Sequence, residues 1–134
     1  MSKEFRFKFS LIILVCILLS GCEGDLASHA HRETEEFLSQ ETSNIEIIDF
    51  LNSYTGEASS AWRYEVFVNW GISNSDRFVK VMNHPKVTKR ILDIALYKIS
   101  DLGQSAAYCR IYSRRSNTNN EKYIRESLLG CEHY

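Results

Sequence analysis

ASSAWRYEVFVNWG, residues 58–71, is the stretch on which the fold class turns. Ala58, Trp62, Val66 and Trp70 recur at every fourth position, and Gly71 closes the run. That spacing predicts one apolar face of an α-helix. Val66-Phe67-Val68 alone would also suit a strand, but no longer stretch of strict alternation favours a sheet.

The pattern continues on both sides. Upstream, Asn44 is placed to cap a helix carrying Ile45, Ile48 and Leu51, with Tyr54 near its end and Gly56 as its stop. Downstream, Ser75 or Asp76 opens a short helix through Phe78, Val79 and Met82. Pro85 marks a further start, because its fixed φ and missing N–H cost nothing in a first helical turn. Val87, Ile91, Ile94 and Leu96 to Ile99 fill that helix. Another runs from Leu102 through Ala106, Cys109, Ile111 and Tyr112, and Ser113–Asn120 reads as a polar loop. From Asn120 a last helix sets Ile124, Leu128 and Cys131 on one face. One Pro and six Gly in 134 residues fit helices better than a turn-rich β architecture. The expectation is all-α, a small bundle of about five or six short helices. Trp70–Asn74 and Tyr97–Asp101 match loosely at a spacing of 27, so HEAT-like stacked helix pairs are the alternative.

The amino terminus has a different character. Lys3, Arg6 and Lys8 precede an unbroken apolar run, Leu11 to Leu19. Nine helical residues span only about 13–14 Å, whereas a bilayer crossing needs about 20 residues. The run fits the apolar region of a signal peptide. It ends in Leu19-Ser20-Gly21-Cys22, which resembles the lipobox of bacterial lipoproteins. The resemblance covers about 22 residues and is carried by position as much as by letters. It implies cleavage before Cys22, acylation of that Cys and an anchor in the membrane; Glu23 in the next position implies the periplasmic face of the outer membrane. An ordinary cleaved signal is the other reading of the same run. Three domains of sequence follow: a signal over 1–21, a polar acidic tether over 22–43 turning helical near Glu33–Ser39, and a helical domain over 44–134.

Export changes the meaning of the four cysteines. Cys16 leaves with the signal and lipid consumes Cys22, so Cys109 and Cys131 remain. In an oxidising compartment an even pair reads as a disulfide, with two buried thiols as the alternative.

Charge is unevenly divided. Residues 22–65 hold ten acids against Arg32 and Arg63, a balance of −8, while 66–134 hold eleven bases against six acids, +5. Such asymmetry fits an interaction surface, or simply a solvated helix exterior. Compartment and the net acidic mature chain exclude nucleic acid as a partner, which leaves an unidentified periplasmic or envelope protein. Arg110, Arg114, Arg115 and Tyr112 are the candidate contacts, since Arg and Tyr are enriched at protein interfaces.

No catalytic motif is present: neither Gly-x-Ser-x-Gly, nor His-Glu-x-x-His, nor a Gly-rich phosphate loop occurs. His29 and His31, with Glu33, Glu35 and Glu36 nearby, supply ligand types for a metal, but His at i and i+2 cannot share a helical face. No metal, no cofactor and no enzymatic activity are therefore expected. The expected role is binding: an immunity or inhibitor protein against a toxin acting in the periplasm, or alternatively a pilot or assembly lipoprotein of a secretion machine.

Overall fold

The computed structural model describes residues 27–53, 57–128 and 130–131, with the backbone alone at 57–60. The expected signal over 1–21 and the expected lipidation site, Cys22, lie outside the described residues. Within them the chain is all-α, with seven helices and no strand. They are α1 (residues 27–39), α2 (Asn44–Asn52), α3 (Glu57–Ser73), α4 (Ser75–Met82), α5 (Lys89–Asp101), α6 (Ser105–Tyr112) and α7 (Asn119–Ser127). None is long and apolar enough to cross a membrane.

α3 is the axis of the arrangement. Its most extensive packing is against α5, and it also meets α2 and α4, while α7 touches α4, α5 and α6. The buried face of α3 coincides only in part with the expected Trp62–Val66–Trp70 stripe. Tyr64, Val66, Phe67 and Val68 are buried, whereas Trp62 is half-buried, Trp70 is half-buried against the core, and the Ala58 side chain lies outside the described residues. The cause is geometric: at about 100° per residue, steps of four drift by about 40° each, so a long every-fourth stripe winds off any flat face. The true face follows i, i+3, i+4. Gly71 continues it, where a Cβ would run into the Phe78 ring and the Tyr108 hydroxyl. Val66, Phe67 and Val68 are all buried within the helix, so the local strand reading fails.

Helix ends follow side-chain chemistry that the apolar spacing hides. α2 is capped by Ser43, not Asn44: its hydroxyl accepts from the Glu46 N–H at 3.3 Å, and Glu46 accepts from the Ser43 N–H at 2.6 Å. Pro85 sits in a turn instead of opening a helix. α5 starts at Lys89 because Thr88 is extended and its hydroxyl accepts from Ile91 N–H. Leu102 ends α5 where a new start was expected. Gly103, at φ 67°, closes the helix with Gln104 N–H bonded to Ile99 C=O and Gly103 N–H to Ser100 C=O, the paired arrangement that terminates many helices. α7 stops at Ser127, so Cys131 lies beyond the helix expected to carry it, although Ile124 and Leu128 are buried as that face required.

The polar stretch 22–43 is helical from 27 to 39, which supplies a seventh helix. α1 is held by Leu38 in the core, by Phe37 stacked on Phe50 at 4.2 Å, and by Glu33 paired with Arg63 at 3.4 Å. Arg63, 2% exposed, also donates to Phe50 C=O and Ser53 Oγ at 3.0 Å and lies over the Phe50 ring. A buried guanidinium needs this degree of compensation. Three apolar positions and one buried cation thus convert an acidic segment into part of the fold.

Candidate functional site

The end of the molecule at α6 and α7 brings together most of the candidate contacts. α6 stops at Tyr112, and Arg115 satisfies its last carbonyls: the Arg115 N–H bonds Tyr112 C=O at 3.0 Å and its Nε–H bonds Ile111 C=O at 3.3 Å. The same guanidinium pairs with Asp76 of α4 at 2.8 Å. Arg115 therefore fastens the loop to two helices.

Thr118 begins α7. Its hydroxyl accepts from the Glu121 N–H at 3.1 Å, and the Glu121 carboxylate accepts from Thr118 N–H at 3.1 Å and Asn117 N–H at 2.8 Å. Asn83, at the end of α4, reaches across to donate to Glu121 at 2.9 Å and to accept from the Thr118 hydroxyl at 2.8 Å. Asn120 donates to Met82 C=O at 2.8 Å. Burial pushes the Glu121 carboxyl up, but the Asn83 bond and the backbone N–H groups of Thr118 and Asn117 outweigh it, holding Glu121 below its ordinary value. The loop 113–118 is thereby pinned between α4 and α7.

Over this loop lies an open cleft of about 590 Å³, lined by Arg110, Ser113, Arg114, Arg115, Asn117 and Glu121 among others. Arg110 and Arg114 are exposed, and neither guanidinium has an ion-pair or hydrogen-bond partner among the described residues. Glu121 is occupied by its own network and Arg115 by Asp76, so the cleft offers two uncommitted cations on a fixed frame.

Of the four residues singled out from sequence, three share this cleft. Tyr112 does not: it is fully buried, because positions 108, 109 and 112 lie on the inward face of α6. Burial, followed by the nearby Glu121 charge, pushes its hydroxyl pKa up. Cys109 and Cys131 form a disulfide, with Cα atoms 5.1 Å apart, joining α6 to the chain beyond α7. The Asn83–Glu121–Thr118 network was missed, although Thr118-x-x-Glu121 is a capping signature in plain view.

The histidines are scattered. His31 on α1 has Nε2 4.0 Å from the Glu65 carboxylate, and His84 Nδ1 accepts from Lys86 N–H in the turn after α4. Among the described residues no three His, Cys, Asp or Glu side chains converge as metal ligands. A second groove of about 560 Å³ runs beside α5 and includes Tyr97. Comparison of the chain with protein-family models, with curated proteins and with solved structures yields no match.

Proposed function

We propose that the chain is an exported lipoprotein, anchored by acylated Cys22 at the periplasmic face of the outer membrane, that acts by binding and blocking another protein. An immunity or inhibitor protein against a toxin active in the periplasm is the reading that fits best, with no catalytic role and no cofactor. The observation that carries it is the pinned loop 113–118 with Arg110 and Arg114 uncommitted above it. A binding loop on a rigid frame loses little conformational entropy on association, and free guanidinium groups select an acidic surface. The anchor rests on the Lys3–Cys22 pattern. The α3–α5 packing, with α7 meeting three helices, favours a small bundle over a stack of repeated pairs. A pilot role is the second reading, favoured by the groove beside α5, since pilots need an apolar channel for a partner segment.

Two experiments test this. Cells fed a fatty-acid analogue should label the wild type and leave Cys22→Ala unlabelled; equal labelling of both removes the anchor. Full-length protein purified from its own envelope should co-purify one acidic partner. The Arg110→Glu, Arg114→Glu double variant should lose that partner while keeping its helical circular-dichroism spectrum. Retention by the variant removes the loop from the interface. Arg115 is left intact because it fastens α4 to α6.

A further inference from the structure

The surface of α5 carries an anomaly that the loop 113–118 does not account for. Tyr97 is 66% exposed, the most exposed large apolar side chain among the described residues; Ile72, at 38%, is next. Tyr108 and Tyr112 on α6 lie in the core, whereas Tyr97 on α5 faces outward. In α5, Ile91, Leu92, Ala95 and Ile99 supply the inward face. Arg90, Ile94, Tyr97 and Lys98 form a second stripe at the same helical spacing, exposed at Arg90 and Tyr97 and half-buried at Ile94 and Lys98. That stripe lines the groove of about 560 Å³, whose other wall includes Ala61 of α3. Lys98 keeps its stem down along it, its side chain only 12% exposed, with its amine paired to Asp101. Such snorkelling leaves the groove floor apolar and its edge charged.

The charges at that edge are mostly spoken for. Lys89 pairs with Asp93 at 2.7 Å, and Asp93 also accepts from the Tyr123 hydroxyl of α7 at 2.6 Å. Lys98 is paired to Asp101 at 3.4 Å. Arg90 is exposed and has no acidic partner among the described residues. The groove therefore combines an aromatic platform, an apolar floor and one cation, Arg90, that has no acidic partner among the described residues and whose charge faces only the Tyr64 hydroxyl. A cationic or neutral occupant would leave Arg90 unmatched, whereas a carboxylate seated next to an apolar anchor would satisfy both features. Tyr and Arg are also among the residue types enriched where a few side chains carry most of the binding energy.

We infer that the α3–α5 groove docks an acidic protein segment presenting an aromatic or branched apolar side chain against Tyr97 and Ile94, with a carboxylate on Arg90. This surface is separate from the Arg110–Arg114 cleft and does not depend on it. A chain with both would hold a partner at two points, or two partners.

The full-length protein in detergent micelles, immobilised and panned against a phage-displayed library of random peptides, tests the inference. Selected peptides should be rich in Asp and Glu around a Trp, Phe, Leu or Ile. A synthetic peptide of the selected consensus should lose affinity by about tenfold or more on Tyr97→Ala. Arg90→Glu should weaken it by about tenfold, and more at low salt than at high. Both residues are exposed, so melting temperature should stay within the scatter of the wild type, and that is measured alongside. Arg114→Glu should leave the same peptide unaffected. That control separates failure of this surface from failure of the loop reading. A basic or charge-neutral consensus, no enrichment at all, or affinity that survives Tyr97→Ala would overturn the inference.

Discussion

Substituting Gly71 by Ala sets two opposed effects against each other at one buried point. Gly71 lies within α3, where Ala is worth about 1 kcal/mol over Gly in helix propensity. On that ground alone the variant should be more stable. The structure predicts the reverse. The new Cβ would fall 2.9 Å from Phe78 Cγ and closer still to Phe78 Cδ2 and the Tyr108 hydroxyl, inside the roughly 3.5–4.0 Å at which carbon atoms pack. Neither neighbour has room to retreat. Phe78 is fully buried, 4.9 Å from the Phe67 ring and 5.0 Å from that of Tyr108. The Tyr108 hydroxyl donates to Val68 C=O, and burial has pushed its pKa up. Overpacking costs about 1–3 kcal/mol, and displacing the buried hydroxyl from its acceptor about 1–3 kcal/mol more. Against a gain of about 1 kcal/mol, the net expectation is a loss of about 1–5 kcal/mol. For a domain of this size that lowers the melting temperature by about 5–25 °C. Thermal and urea unfolding followed by circular dichroism measure it. Tyr108→Phe in the same background removes one of the clashing atoms, so the double variant should be milder than the two single effects added together. A Gly71→Ala protein as stable as wild type, or strict additivity with Tyr108→Phe, would refute the close-packing argument.

Two further outcomes follow from single contacts. The Cys109–Cys131 bridge closes a separation of 22 residues; replacing both with Ser should cost about 3 kcal/mol in the loop-closure account, read as a lowered urea midpoint. Glu121 titrates below the ordinary carboxylate value of 4.5 in the folded chain, so its contribution is fully present above the unfolded value and is lost as pH falls through the folded one. Glu121→Gln should therefore be less stable than wild type at neutral pH. The gap should close below about pH 4.5, and a gap independent of pH would mean that the Asn83–Thr118 network gains nothing from the charge.

How legible the molecule is from sequence depends on the kind of signal. Helix existence was written in apolar spacing, and α4 begins and ends where Ser75 and Met82 suggested. Boundaries elsewhere were set by hydroxyl caps at Ser43, Thr88 and Thr118 and by Gly103 at positive φ. Apolar periodicity carries no information about those positions. The buried face of α3 departs from the every-fourth count because each step of four rotates by about 40° around the helix axis. The acidic composition of α1 outweighs Phe37 and Leu38 and hides a helix that those two side chains and the Glu33–Arg63 pair dock onto the fold. Among the tyrosines, composition could not separate Tyr112, which is core, from Tyr97, which is surface; only the facing of α6 and α5 decides. Arg110, Arg114 and Arg115 line one cleft, and Asp76, 34 to 39 positions away, determines which of them is occupied.

The proposed contact of the loop 113–118 with an acidic partner is open to direct test. Stopped-flow association of the co-purified partner with full-length protein, across a range of salt, measures it directly. Arg110→Glu with Arg114→Glu should slow association by about tenfold or more at low salt, with the difference shrinking as salt rises. Equal association rates for wild type and double variant at every salt concentration would contradict it.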